Sequence, residues 1–266
     1  MNNLHRSLAP ISHAAWEQIE EEVARTFKRS IAGRRVVDVK GPGGADLAGV
    51  GTGHQKTVTA PQQGVGAKLR EFRAVVELTV PFELQRDAID DVERGANDSD
   101  WQPAKDAAKA LAYAEDRAIF DGYKAAGIIG IREGSSNAKL ELPANVADYP
   151  NAISNALEAL RLAGVDGPYS VLFGADAYTA LGEARDQGYP VIEHIKRIVN
   201  GDIIWAPAID GGSVLSTRGG DFELHLGQDL SIGYQSHTDK AVRLYLRESL
   251  TFLMLTSEAS VTVASS

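Results

Sequence analysis

The chain has 266 residues, 44% of them hydrophobic, which is enough apolar material for one large domain or two intertwined ones and too much for a disordered chain. It contains no cysteine, so a disulfide framework, a thiolate zinc site and a cysteine nucleophile are all excluded. A formal charge of −9 and a pI near 5.2 give a surface that repels phosphate backbones, which argues against a general nucleic-acid binder.

Residues 1–15 lack the apolar core of a signal peptide, and nowhere does a run of about 18 apolar residues occur, so a soluble cytoplasmic chain without membrane contact is expected. After Pro10, Trp16, Ile19, Val23 and Phe27 recur at helical spacing, with Ser12 able to cap the start and Gly33 beyond the end. The stretch from Gly41 to Gly66 is glycine-rich, carries Pro42 and Pro61 and has no helical period; it reads as a mobile loop. From Phe72 to Leu84 apolar residues alternate with others at a period of two, longer than ordinary strands of roughly 3–10 residues, and Pro81 places this strand at an edge or bulge. A glycine-rich loop joined to an overlong strand suggests an arm that needs a neighbour to rest on. Pro103 opens a long helix predicted to run to Gly127, with Ala104, Ala108, Leu111, Ala118, Ile119 and Gly122 on one face. Beyond Asp148 helical patterns (Ile153, Leu157, Leu160; Tyr178, Leu181; Val191, Ile195, Ile198) alternate with short apolar runs at Tyr169 to Phe173 and Ile203 to Trp205, a compact α/β segment. The chain returns to strands at Phe222, Leu224 and Leu226, at Val242, Leu244 and Leu246, and in the mainly apolar run from Leu250 to Leu255.

No constellation carries catalysis. The six histidines, His5, His13, His54, His194, His225 and His237, include no i, i+4 pair of the helical zinc-protease kind. Gly49, Gly51 and Gly53 look like a phosphate loop, but the dinucleotide fingerprint would need glycine at His54, and no Walker motif closes. No G-x-S-x-G elbow is present. The carboxylate neighbours Asp90 and Asp91, or Glu20 to Glu22, point in different directions on a helix and read as solvated faces. Asn97-Asp98-Ser99 matches a glycosylation acceptor by chance. The residues alone therefore lead to an α/β protein with an arm, no catalytic site, no metal site and no cofactor.

Blocks of sequence carry the reading further. Gly33-Arg34-Arg35-Val36-Val37-Asp38-Val39-Lys40-Gly41-Pro42, Glu93-Arg94-Gly95, Glu115-Asp116 with Ile119-Phe120, Gly167-Pro168-Tyr169, Arg218-Gly219-Gly220-Asp221-Phe222 and Leu226-Gly227-Gln228-Asp229-Leu230-Ser231-Ile232-Gly233-Tyr234 follow one another in a fixed order across nearly the whole chain. In these blocks the chain resembles the encapsulins, shell proteins of the family 1, linocin/bacteriocin type, and more closely their actinobacterial members.

The resemblance implies an α+β fold of the tailed-phage major capsid protein (Hong Kong 97-like) type: a P-domain N-terminal helix region at 1–44, an E-loop at 45–73, the P-domain with its spine helix at 74–130, an A-domain at 131–218 and P-domain C-terminal strands at 219–266. It implies a non-enzymatic protein whose partner is itself, sixty copies closing into an icosahedral nanocompartment. It implies a cargo enzyme held by a C-terminal targeting peptide, either a dye-decolourising peroxidase or a ferritin-like protein, with the actinobacterial likeness favouring the peroxidase. The cargo-binding positions that carry over are Phe27, Arg34, Val37, Asp38, Val39, Leu230 and Ile232; on that assignment alanine at Phe27 and Arg34 empties the shell and leaves it intact. The plainer reading makes Phe27 core and pairs Arg34 with Asp38. The segment Gly182 to Tyr189 corresponds to the loop around a five-fold pore, with Glu183, Asp186, Gln187, Gly188 and Tyr189 lining it and the carboxylates favouring cations. Where some relatives stack a flavin, this chain has Asp87, which argues against flavin. A bacteriocin-like or peptidase activity and a prophage capsid protein are the competing readings.

Overall fold

The computed structural model describes residues 3–265. Helix α1, His13–Ser30, begins where the Ser12 hydroxyl accepts the Ala15 N–H at 3.2 Å, and it buries Ala15, Ile19, Val23 and Phe27 as its spacing predicts. Trp16 stays at the margin of that face, beneath the Arg6 guanidinium at 4.2 Å. After strand β1, Asp38–Lys40, the segment expected as a mobile loop contains one arm of a hairpin: β2, Gly49–Val58, pairs antiparallel with β3, Ala67–Ala74, from Gly49 against Ala74 to Val58 against Ala67, and the stretches on either side of β2 are irregular. Gly49 and Gly51 sit in paired positions of β2 and Gly53 at an irregularity between Gly51 and Gln55, while Gly41, Gly43, Gly44, Gly64 and Gly66 lie outside the strands, as a loop reading expects.

Strand β4, Val76–Gln85, follows at once, so the long alternation belongs to two strands separated at Val75. The backbone stays extended across the break and the phase persists. Only the downstream half has a sheet face to bury, which is why Phe82 and Leu84 are covered while Phe72 and Ala74 are open. Helix α2, Arg86–Glu93, leads to α3, Gln102–Phe120, which has Pro103 in its first turn. It stops at Phe120 rather than reaching Gly127. Gly122 takes φ +85°, and a side chain there would strike the Gly130 backbone, so the chain turns back through a Tyr123–Ile128 bridge.

The remaining elements are α4 (Ile131–Gly134), β5 (Leu140–Leu142), α5 (Tyr149–Leu162), β6 (Tyr169–Phe173), α6 (Ala175–Glu183), β7 (Arg185–Asp186), β8 (Tyr189–Pro190), α7 (Val191–Ile198), β9 (Ile203–Trp205), β10 (Gly212–Ser216), β11 (Phe222–Leu226), β12 (Ser231–His237), β13 (Ala241–Met254) and β14 (Ser260–Ser265). They complete two sheets. In the first, the long β13 pairs with β11 and β12 end to end along one side and with β4 along the other, and β1 joins β11 in parallel. Among the described residues strand β4 pairs with β13 alone, the edge position that Pro81 requires. The second sheet runs β5-β14-β10-β6-β9. Its β14 lies within the 219–266 stretch that the resemblance assigns to the closing P-domain strands, yet it pairs with β10 and β5 of the other sheet.

Each sheet is sealed by helices. Helices α1, α2 and α3 pack with β4, β12 and β13 around Leu111, Leu84 and Leu244, while α5, α6 and α7 cover the second sheet around Ile153, Leu157 and Phe173. Burying a side chain of this size contributes roughly 1.5–3 kcal/mol. The hairpin shares in neither core: beyond Ala67 every residue of β3 is exposed.

Candidate functional site

Three surfaces stand apart from the cores. The first is the hairpin. At about 3.3 Å per residue, its ten-residue strand β2 projects some 30 Å, and Leu69 and Phe72 are 60% and 63% exposed. Isolated two-stranded hairpins are marginal in water, and their outer edges present unpaired backbone donors and acceptors.

The second surface lies where α1 ends and β12 begins. Phe27 and Ile232 are buried in the core shared by α1, α3 and β12. Arg34 follows α1 in a 3₁₀ turn, and its guanidinium lies 4.9 Å from the centre of the Phe27 ring. It does not pair with Asp38. Its Nε and Nη2 donate to Glu115 at 2.7 and 2.6 Å, its Nη1 donates to Asp229 at 2.8 Å, and Nη2 stands 3.4 Å from Glu248. Burial alone would lower the guanidinium's pKa, but the carboxylates of Glu115 and Asp229 outweigh it and raise the value further, keeping Arg34 charged. Glu248 has the opposite balance: burial, then the charge of Glu115, raise its carboxyl well above the carboxylate range despite Arg34. Its Oε1 is buried without a donor, and when protonated it can donate to Glu115 instead. Beside this cluster Asp116 accepts the Ala32 and Gly33 N–H groups at 2.9 and 2.7 Å.

The other positions carried over from the resemblance are spread around this cluster. Val37 packs half-buried against the second core. Asp38 accepts the Gly220 N–H at 2.6 Å, and Val39, on β1, is 41% exposed. Leu230 is half-buried and, with Arg6, Glu20, Val23, Ala24 and Ile232, lines a hollow of about 280 Å³ beside α1. Reading the sequence for site residues missed the carboxylates that hold Arg34. One signal was present: Glu115 falls on the same helical phase as Ala104, Ala108 and Leu111, a charge on an apolar face.

The third surface is the Gly182 to Tyr189 segment, which is less of a loop than its sequence suggests. Helix α6 continues through Glu183, and β7 and β8 then form a hairpin closed by Gln187 at φ +47° and Gly188 at φ +88°, a two-residue turn matched to strand twist. Glu183, Asp186, Gln187, Gly188 and Tyr189 are all exposed, and the Tyr189 hydroxyl accepts from Arg197 at 2.8 Å. Asp87 is exposed on α2. Among the described residues no cluster of three potential metal ligands occurs and no helix is long and apolar enough to cross a membrane.

Comparison with known proteins places this geometry. A family profile described as "Encapsulating protein for peroxidase" matches residues 1–251. A type 1 encapsulin shell protein of Rhodococcus erythropolis is 63% identical over 99% of this chain and 100% of its own length. Among solved structures, a virus-like particle from Pyrococcus furiosus superposes with a TM-score of 0.67 at 18% identity, covering 93% of this chain and 98% of that one. A structure of Gordonia phage Cozz gives a TM-score of 0.56 at 13% identity, covering 88% of this chain and 86% of that one. At those identities the last two show the fold alone, and it is the Hong Kong 97-like capsid fold.

Proposed function

This chain belongs to the encapsulin family of shell proteins, and from that membership we propose that sixty identical copies close into an icosahedral nanocompartment around a cargo enzyme. It is a structural shell protein with a capsid-type fold, not an enzyme. The observation that supports closure is the bare hairpin β2–β3, whose open edges and exposed Leu69 and Phe72 suit the body of an adjacent copy.

The cargo enters this reading through a C-terminal peptide; the family description supports a peroxidase as the first candidate, and a ferritin-like protein is the second, on the resemblance alone. We place the cargo groove at the hollow where Leu230 and Ile232 offer apolar surface, with Phe27 in the core behind it and Arg34 over the Phe27 ring; Val37, Asp38 and Val39 would add apolar surface and a carboxylate from β1 and the residue before it. The tip from Glu183 to Tyr189 lines a five-fold pore, where repeated Glu183 and Asp186 favour cations.

The test is co-expression with a fluorescent reporter carrying the C-terminal peptide of a dye-decolourising peroxidase. Hollow particles in negative stain that retain this reporter, and release one lacking the peptide, are the expected result. Particles that hold neither, or both equally, contradict the cargo reading.

A further inference from the structure

An open trough of about 500 Å³ runs along the seam between α1 and α3, lined by Arg25, Arg29 and Glu22 on one side and Lys105, Lys109 and Asp106 on the other. The helices run in the same direction: Gln18 meets Trp101, Glu22 meets Lys105, and Gly33 meets Asp116. Arg25 and Arg29 therefore form one row of cations a turn apart, and Lys105 and Lys109 form a second beside it. In a chain of net charge −9 this is a local reversal of sign.

Among the described residues the four cations are only partly neutralised, Arg25 and Lys105 sharing a single carboxylate. Glu22 serves one end of the trough, bonding Arg25 and standing 3.5 Å from Lys105. Burial opposes its ionisation, but those two cations hold its carboxyl below the usual range. Asp106 accepts from the Gln102 amide at 2.8 Å. Among the described residues neither Arg29 nor Lys109 has a carboxylate within ion-pair distance; the Lys109 ammonium lies 5.3 Å from the centre of the Tyr113 ring. The helix dipole favours Arg29 in the last turn of α1, but it disfavours Lys105 in the first turn of α3. Like charges a turn apart repel. Local helix electrostatics thus leave the second row unexplained.

We propose that this trough is a docking site for an acidic polypeptide segment, with its carboxylates between Arg29 and Lys109. The length of the site favours a peptide over a nucleic acid. Four helical residues span about 6 Å, close to the spacing of alternate side chains on an extended strand. A phosphate chain would continue past the cations and meet Glu17 and Glu21, on the same ridge as Arg25, together with Asp98 and Asp100 ahead of α3, all of them exposed. The site is separate from the hollow at Leu230 and does not depend on shell closure.

The experiment is a fluorescence-polarisation titration of labelled hexaglutamate onto the full-length protein, with hexalysine as the control of opposite charge. Saturable binding is expected, weakened roughly tenfold or more by Arg29→Glu with Lys109→Glu, reduced by salt, and unchanged by Lys124→Glu on the exposed turn after α3. Both reversed side chains are exposed, and an unchanged circular dichroism spectrum shows the fold intact. Absence of saturable binding, undiminished affinity in the double variant, or a hexathymidylate that competes more strongly than hexaglutamate overturns the proposal.

Discussion

Arg34 and Glu115 meet in a two-pronged ion pair between the turn that follows α1 and the middle of α3, with Nε 2.7 Å from Oε1 and Nη2 2.6 Å from Oε2. Glu115 is fully buried and Arg34 is partly buried, at 19% side-chain exposure. Truncating Arg34 to alanine leaves Glu115 without its cation, a change that costs about 3–5 kcal/mol. Thermal unfolding is expected to fall by roughly 10 °C or more. A chain that melts within about 2 °C of the wild type contradicts a structural role for the pair. Alanine at Arg34 therefore does not separate cargo capture from folding, as the sequence alone had suggested it would.

Glu248 sets a pH dependence with a definite sign. Burial and the neighbouring charge of Glu115 raise its carboxyl well above the usual range, so the folded chain holds a proton that the unfolded chain releases near pH 4.3, about the ordinary value. The stability it contributes is fully present below that value and is lost as pH rises through the raised folded value. Asp116, pushed up to about 7 by burial against the pull of two backbone N–H groups, acts in the same direction up to that pH. Glu248→Gln removes one of the two proton sites. Denaturant titrations at about pH 5, 6.5 and 8 are expected to show the wild type losing stability relative to the variant by up to about 1.4 kcal/mol per pH unit; parallel profiles contradict the assignment.

The hairpin can be tested without disturbing the body. Leu69 and Phe72 touch neither core, so Leu69→Asp with Phe72→Asp is expected to change the stability of the fold by less than about 0.5 kcal/mol while abolishing assembly. Sedimentation velocity reads the outcome: a small, folded species supports the arm's role, and full-sized particles exclude it.

The hairpin was also where the sequence was hardest to read. Patterns that report on a buried face, as in α1, β6 and β9, translate directly, because periodicity records which side meets a core. Strands β2 and β3 meet none within their own chain, so their apolar residues carry no period relative to it, and glycine content misdirects. The Arg34 cluster was hidden for another reason. Its partners lie 81, 195 and 214 residues away in sequence, and no local pattern links them. Strand β14 joins β10 across 45 to 51 residues, a pairing that no local pattern reveals either.

For the cargo groove, Leu230 is the position to change, since it is half-buried at the rim of the hollow while Phe27 and Ile232 are core. Leu230→Glu is expected to reduce the co-purifying peptide-tagged reporter roughly tenfold with particle yield unchanged, as a carboxylate there would have to be desolvated by an apolar peptide. Fluorescence per particle measures it, and unchanged loading contradicts the placement.

The claim that the chain closes into a shell is tested most directly by light scattering coupled to size exclusion. Sixty chains of 28.5 kDa give a particle of about 1.7 MDa, and a single peak at that mass is the expected result. A stable monomer or dimer, persisting across salt and pH, would contradict the account.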